Sequence, residues 1–184
     1  MTRVLLLIDI QRDYFPGGRQ PLVRTDAAAD AAARLLAGFR SAGEPVVHVQ
    51  HVWDAPDAAF FAPGTPGVEF DSRVAPEDGE PVIVKDRPNS FLGTDLEVRL
   101  REIAPDELVV AGMMSSMCVD ATVRAASDLG FSVVVAHDAC AAPDLEFSGT
   151  TVPGDQVHAA FMAALGSYAR VTDADTLVAE VTPA

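Results

Sequence analysis

The sequence predicts an α/β fold of three layers, in which a six-stranded, mainly parallel sheet is flanked by helices. Short, continuously apolar runs alternate with longer helical patterns along the chain, as in successive βαβ units. The apolar runs do not alternate with polar residues, which is typical of strands buried on both faces. The chain has 184 residues and is 49% hydrophobic, so one domain over residues 1–184 can bury a sizeable core.

The first half of the chain predicts two strands, a helix and a long loop. Residues 4–8 form a continuous apolar run and are the first predicted strand. Residues 25–41 are rich in alanine and predict a helix, which Gly43 ends. Residues 46–52 are the second predicted strand. Residues 54–80 hold several prolines and few periodic apolar positions, so we expect a long loop of the kind that is often functional.

The second half continues the alternation. Residues 81–85 predict a third strand that ends on Lys85. Thr94 and Glu97 have the spacing of a capping box, which predicts a helix to about residue 103. Further strands are expected at residues 108–111 and 131–136, with a short sixth at 170–172. Helices are expected from Cys118 to residue 129, before Gly130, and over residues 156–167.

The charge balance excludes several classes of partner. Thirteen basic residues face 27 acidic ones, for a formal net charge of −14. Nucleic acid binding is not expected, because it normally needs a basic face, and an anionic membrane surface is disfavoured for the same reason. The N-terminal apolar run is too short for a signal peptide or a membrane span. Two cysteines make no disulfide framework, so we expect a cytoplasmic protein.

Twelve of the thirteen basic residues are arginines, and the remaining one is Lys85. Codon bias toward arginine could explain the ratio. However, arginine does not readily lose its proton, whereas lysine is a compact charge whose pKa the surroundings can tune. The retained lysine is therefore a candidate chemical group.

Three chemically suitable groups fall at the carboxyl ends of the predicted strands, where sites in parallel sheets lie. Asp9 follows the first strand, Lys85 ends the third, and Cys118 lies on the turn after the fourth. A helix N-terminus and the Lys85 ammonium should lower the pKa of the Cys118 thiol. Asp9 could take up and return a proton, and backbone N–H groups of residues 114–118 could bind an oxyanion. This combination predicts acyl transfer through a thioester. Cys140 is expected to be a buried apolar residue.

Five segments, in this order, carry a family resemblance: LIDIQRDYF (7–15), GTPGVEF (64–70), KDRPNSFLGTDL (85–96), VAGMMSSMCV (110–119) and VAHDAC (135–140). With them the chain resembles the isochorismatase-like cysteine hydrolases, which include nicotinamidases and N-carbamoylsarcosine amidase. The resemblance implies a six-stranded parallel sheet and a homodimer or homotetramer. It makes Asp9 the general base, Lys85 the catalytic lysine and Cys118 the nucleophile. It also implies a cis peptide between Met113 and Met114, with the N–H groups of Met114 and Cys118 as the oxyanion hole.

The chain departs from the nicotinamidases at their metal ligands. Those enzymes bind a metal through an Asp-x-His pair and a further histidine, and these positions fall on His51, Trp53 and Phe60 here. An aromatic ring cannot replace an imidazole as a ligand. His48 and His51 are three residues apart on a strand and point to opposite faces. We therefore expect no metal and no cofactor, with His48 a structural residue and His51 facing the pocket.

The predicted function is hydrolysis of a C–N bond of a small molecule, in an amide, carbamoyl or imide-like group. Isochorismatases proper cleave a vinyl ether and often lack the cysteine, so the presence of Cys118 favours C–N cleavage. A vinyl ether hydrolase that uses Asp9 and Lys85 stays an alternative, as does a non-catalytic small-molecule-binding protein. Residues 141–155 are expected to form a lid or an interface arm. The candidate substrate-binding residues are the aromatic ones near the site: Tyr14, Phe15, Trp53, Phe60, Phe61 and Phe91.

Overall fold

A computed structural model describes residues 1–181 of the chain. Its centre is a sheet of six parallel strands, as the sequence predicts. These strands are β1 (Arg3–Ile8), β2 (Val46–His51), β3 (Val82–Lys85), β4 (Glu107–Met113), β5 (Val133–Ala141) and β8 (Arg170–Thr172). Their order across the sheet is β3-β2-β1-β4-β5-β8. A separate antiparallel hairpin consists of β6 (Leu145–Phe147) and β7 (Thr150–Val152).

Helices cover both faces of the sheet. They are α1 (Thr25–Ala42), α2 (Leu96–Ile103), α3 (Asp120–Asp128), α4 (Gly154–Leu165) and α5 (Ala174–Val181). The apolar sides of α1 and α5 pack into one core, and those of α2, α3 and α4 pack into a second core on the opposite face. The result is the predicted three-layer α/β architecture.

The central strand β1 explains why its apolar run is continuous. Leu5 and Leu7 belong to the core under α1, whereas Leu6 and Ile8 belong to the core under α2 and α3. Because successive side chains of a strand point to opposite faces, a strand with a helix layer on each side needs an apolar residue at every position. The polar residue that follows, Asp9, is therefore at the carboxyl edge of the sheet.

Several predicted boundaries differ from the structure. The capping box is wrong in detail: Asp95 is the N-cap residue of α2, and its side chain makes no capping hydrogen bond. Thr94 Oγ1 instead accepts a 3.3 Å hydrogen bond from the Leu96 N–H and donates to the Ser90 carbonyl. Helix α5 and the β6–β7 hairpin were not predicted. Strand β5 extends to Ala141, beyond the predicted end at residue 136.

The segment predicted as a lid or an interface arm contains the β6–β7 hairpin. Phe147 on this hairpin is 80% exposed, and Leu145 is exposed as well. The hairpin leads directly into α4, whose first residue, Gly154, donates its N–H to Asp144 Oδ1 at 2.7 Å. Within residues 1–181, no helix combines the length and apolar character needed to cross a membrane.

Candidate active site

The carboxyl ends of four neighbouring strands meet at one buried position. Asp9 follows β1, whereas His51 and Lys85 are the last residues of β2 and β3 and are paired across those strands. After β4 the chain forms one π-helical turn, Ser115–Val119, which leads into α3 and carries Cys118. Asp9, Lys85 and Cys118 are all buried, so the three predicted catalytic residues lie together beneath the surface.

Asp9 and Lys85 form an ion pair that is shielded from solvent. Asp9 Oδ2 lies 2.7 Å from Lys85 Nζ, and both side chains are 0% exposed. Lys85 Nζ also donates to the Arg87 carbonyl at 2.9 Å. Burial alone would lower the pKa of Lys85, but the charge of Asp9, followed by the interaction with Cys118, outweighs burial and raises this pKa. The lysine is therefore a fixed positive charge in the site.

The surroundings of Cys118 act against the expected thiolate. Burial, followed by the negative charge of Asp9, raises the pKa of the Cys118 thiol well above its ordinary value, and the opposing effect of Lys85 is smaller. Lys85 lowers this pKa, as the sequence predicts, but the removal of the sulfur from water dominates, so the predicted net lowering is wrong. The Cys118 side chain is therefore a thiol at neutral pH. Asp9 Oδ1 has no hydrogen-bond partner among the described residues and is available as a proton acceptor.

His51 is the fourth polar side chain of the site. Its Nδ1 lies 3.2 Å from Lys85 Nζ, 4.0 Å from Cys118 Sγ and 3.9 Å from Asp9 Oδ2. Burial and the nearby lysine lower the pKa of His51, so the ring is neutral at neutral pH. The sequence predicts that His51 faces the pocket but indicates no chemical role for it. The available signal was its position at the carboxyl end of a strand.

His48, the other histidine of β2, points to the opposite face of the sheet from His51. His48 Nε2 lies 2.8 Å from Glu80 Oε2, and its ring packs edge-on to Phe70. The prediction that His48 and His51 lie on opposite faces of the strand is confirmed, and His48 has a structural role.

The segment between β4 and Cys118 presents backbone donors. The peptide bond between Met113 and Met114 is cis. The Met114 carbonyl accepts hydrogen bonds from the N–H groups of Met117 and Val119, each at 3.1 Å. No acceptor for the Met114 N–H is found in the described part of the chain. The sequence predicts an oxyanion hole at the N–H groups of Met114 and Cys118, and a Met114 N–H without an acceptor among the described residues fits that prediction.

Aromatic side chains pack around the site as one group, which we call the aromatic cluster: Tyr14, Trp53, Phe60 and Phe61. Ring centroids are 4.6 Å apart for Tyr14 and Phe61, 5.0 Å for Phe60 and Phe61, and 5.4 Å for Trp53 and Phe60. Phe61 also packs 5.8 Å from the His51 ring, which joins the cluster to the predicted catalytic residues. Asp13 holds this arrangement, because its Oδ2 accepts the Phe61 N–H at 2.7 Å.

Two of the predicted substrate-binding residues lie elsewhere. Phe15 packs under the guanidinium of Arg73, which is 5.1 Å from the ring centroid. Phe91 stacks on Phe131 at 6.1 Å and packs against the core under α2 and α3. The structure therefore brings Tyr14, Trp53, Phe60 and Phe61 together, but it does not bring Phe15 or Phe91 into the cluster.

One group of side chains could in principle supply metal ligands. Ligand atoms of Asp9, His51 and Cys118 all lie within 4.8 Å of one another. The Lys85 ammonium, however, is 2.7 Å from the Asp9 carboxylate and 3.2 Å from the His51 ring, where it would repel a cation. At the positions that correspond to two nicotinamidase ligands, Trp53 and Phe60 pack edge to face. These residues do not fit the nicotinamidase metal.

Comparison with known proteins agrees with this geometry. The isochorismatase domain matches residues 3–176. An uncharacterized isochorismatase family protein of Bacillus subtilis, YddQ, is 52% identical over 172 residues, which cover 93% of this chain and 96% of that protein. The maleamate amidohydrolase of Pseudomonas putida is 32% identical over 148 residues, or 73% of this chain and 70% of that enzyme. A crystal structure from Oleispira antarctica has a TM-score of 0.92 and 53% identity, and the match covers 97% of this chain and 96% of that one.

Proposed function

The chain belongs to the isochorismatase family of hydrolases, and on this premise we propose that it cleaves a C–N bond of a small molecule through a cysteine thioester. The bond lies in an amide, carbamoyl or imide-like group. The observation that carries the proposal is a buried thiol beside a carboxylate that has a free oxygen and a paired ammonium. Because the pKa of the thiol is raised, Asp9 can remove its proton only as the sulfur forms a bond to the substrate carbonyl carbon.

In the first half of the proposed reaction, Asp9 takes the proton of the Cys118 thiol as the sulfur attacks the substrate carbonyl carbon. A C–S bond forms, and the carbonyl oxygen becomes an oxyanion that the Met114 and Cys118 N–H groups stabilise. Asp9 then gives the proton to the departing nitrogen, the C–N bond breaks, and an acyl thioester remains on Cys118.

In the second half, water replaces the amine. Asp9 takes a proton from the water as its oxygen attacks the thioester carbonyl. The C–S bond breaks, a carboxylic acid leaves, and the sulfur recovers its proton from Asp9. The net reaction adds one water across the C–N bond.

Lys85 and His51 support this proton cycle. The ammonium 2.7 Å from Asp9 stabilises the ionised carboxylate between turnovers, and it stabilises the thiolate as that charge develops. The neutral His51 ring, with Nδ1 4.0 Å from Cys118 Sγ, can orient the thiol without competing as a base. Its lowered pKa is consistent with this positioning role.

The relatives support the C–N bond as the target. One of them is a maleamate amidohydrolase, and we propose amide hydrolysis for this chain as well. Vinyl ether hydrolysis is the second candidate, because Asp9 and Lys85 alone could deliver a proton to a vinyl carbon. The position of Cys118 against both groups favours the amide reaction.

The first prediction tests the nucleophile. Cys118→Ala should lower kcat/KM on every amide that the wild type hydrolyses by at least about 10³-fold, because no thioester can form. The measurement is hydrolysis of a panel of primary amides, lactams, imides and carbamoyl compounds, with mass spectrometry for an acyl adduct on Cys118.

Cys140→Ala is the matched control. Cys140 is also buried, and its Sγ–H donates only to the Ala136 carbonyl at 3.4 Å, so this variant should keep its activity. Retention of amide hydrolysis by Cys118→Ala would contradict the thioester mechanism. Turnover of vinyl ethers by that variant would favour the second candidate, and turnover of neither class by the wild type would favour a binding protein.

A further inference from the structure

Tyr14 carries a buried hydroxyl group that nothing in the described structure satisfies. The residue is 0% exposed, and its Oη has no hydrogen-bond partner among residues 1–181. Most buried polar groups are paired, since an unpaired donor loses its bond to water and gains nothing in exchange. The Tyr14 ring packs on Phe61, which in turn packs against the His51 ring, so this unpaired hydroxyl belongs to the layer of side chains around the candidate site and needs a functional explanation.

The backbone holds Tyr14 firmly in this position. Tyr14 ends a short 3₁₀ turn that begins three residues after Asp9. Its carbonyl accepts a hydrogen bond from the Leu22 N–H at 3.0 Å and another from Thr25 Oγ1 at 3.0 Å. Its ring packs edge-on against Phe61 and 5.9 Å from Phe60. These contacts fix the position of the hydroxyl before any substrate binds, although the hydroxyl itself has no partner among the described residues.

The hydroxyl lies within electrostatic reach of the catalytic residues. Burial is the main cause of a raised Tyr14 pKa, and the charges of Cys118, Asp9 and Asp13 raise it further. The hydroxyl therefore keeps its proton during turnover and can donate a hydrogen bond. The carboxyl groups of Asp9 and Asp13, whose charges act on this hydroxyl, disfavour a further carboxylate next to it, so its partner should be an uncharged acceptor.

We propose that the Tyr14 hydroxyl is a specificity-determining donor that binds a neutral acceptor, a carbonyl oxygen or ring nitrogen, in the non-reacting part of the substrate. The inference rests on the proposed function and narrows its substrate class to small amides that carry a second, uncharged acceptor. The hydroxyl, which has no partner among the described residues, is satisfied only when such a substrate binds. A substrate without the acceptor leaves it unpaired and binds less well.

The test is Tyr14→Phe, which removes one oxygen and keeps the ring that packs on Phe61. Two pairs of amides differ by one acceptor: pyridine-3-carboxamide against benzamide, and glutarimide against 2-piperidone. Wild type should prefer the acceptor-bearing member of each pair. In Tyr14→Phe, kcat/KM for that member should fall about tenfold or more, mainly through KM, and the other member should change less than about twofold.

Thermal unfolding gives a second, independent readout. Because the hydroxyl has no partner to lose, Tyr14→Phe should melt at or above the wild-type temperature. The control is Tyr168→Phe, which alters the exposed second tyrosine of the chain and should change neither selectivity nor kcat/KM. A loss of several degrees in Tyr14→Phe would overturn the inference, because it would reveal a structural partner for the hydroxyl.

The outcomes separate the inference from its premise. Hydrolysis by the wild type with the same selectivity in Tyr14→Phe would overturn the role of Tyr14 and leave the proposed function standing. A wild type that hydrolyses no amide, carbamoyl compound or imide would overturn both.

Discussion

Cys118 lies between a carboxylate and an ammonium that act on its thiol in opposite directions. Asp9 raises the pKa of the thiol, and Lys85 lowers it by less. The sequence predicts that these three residues meet, because each follows a buried strand of a parallel sheet. It does not predict the sign of the pKa shift, since that sign depends on the complete burial of the sulfur, which only the packed structure reveals.

The balance of charges at Cys118 gives a prediction for Asp9→Asn. Loss of the negative charge should lower the pKa of the thiol, so the thiolate fraction should increase about tenfold for each unit of pKa decrease. Hydrolysis should be lost at the same time, because the variant lacks its base. The measurement is the rate of iodoacetamide labelling of Cys118 from pH 6 to pH 10.

The Asp9→Asn variant and the parent with which it is compared should both carry Cys140→Ala, so that only the Cys118 thiol reacts. Slower labelling in Asp9→Asn than in the matched parent would contradict the pKa-raising effect of the Asp9 charge on the sulfur. Circular dichroism at each pH shows that the variant is folded, which is needed because Lys85 loses its partner.

At the scale of the elements, β4 lies very close to β1, and this close approach positions the turn after β4 that carries Cys118. Gly112, one residue before the end of β4, has φ +138°, and a Cβ atom there would collide with the Ile8 carbonyl oxygen. The register between β4 and β5 also shifts between Val110 and Gly112. A glycine is therefore required where the chain leaves the sheet toward Met114 and Cys118.

Gly112→Ala should destabilise the protein by about 3 kcal/mol or more, because both the backbone conformation and the steric contact oppose a methyl group. The matched control is Gly130→Ala, at φ +84° with no atom near the added methyl, which should cost about 1 kcal/mol. Urea unfolding measures both free energies of unfolding. Equal losses in the two variants would contradict the close contact between β4 and β1.

Three elements that the sequence did not predict are short. Strands β6 and β7 have three residues each, which is too few for a period of two to be distinguished from chance. Helix α5 has eight residues and begins directly after β8, and its stability comes from packing Leu177 and Val181 into the core under α1. That contact joins distant parts of the chain, so no local pattern reports it.

At the scale of the whole molecule, most of the fold and the centre of the site follow from the alternation of strands and helices. Asp9, Lys85 and Cys118 were predictable because strand ends of a parallel sheet share one edge.

The aromatic residues were predictable only in part. Tyr14 contacts Phe61 because of the conformation of the long loop, which the sequence does not define. Phe91 lies outside the cluster and stacks on Phe131. The homodimer or homotetramer implied by the resemblance stays a prediction.

Glu80 connects three distant parts of the molecule and gives a prediction about acid stability. It accepts hydrogen bonds from Arg40 of α1 at 2.7 and 2.8 Å, contacts His48 of β2 at 2.8 Å and accepts the Glu77 N–H at 2.9 Å. The hydrogen bonds from Arg40, more than any other contact, lower the pKa of Glu80 to about 2. A carboxylate whose pKa is lower in the folded state stabilises the protein above its unfolded pKa, and this stabilisation is lost as the pH falls toward 2.

Glu80→Gln should therefore destabilise the protein most at neutral pH, by about 3 kcal/mol, since each unit of pKa shift corresponds to about 1.4 kcal/mol. The difference from wild type should shrink steadily below pH 4.5 and approach zero near pH 2. Urea unfolding at pH 7, 5, 4 and 3 measures it. Glu97→Gln is the control, because the ion pair of Glu97 with Arg101 on α2 is 3.3 Å long and solvent-exposed and should contribute under about 1 kcal/mol. A loss in Glu80→Gln that is constant with pH would mean that its carboxylate acts through packing and not through charge.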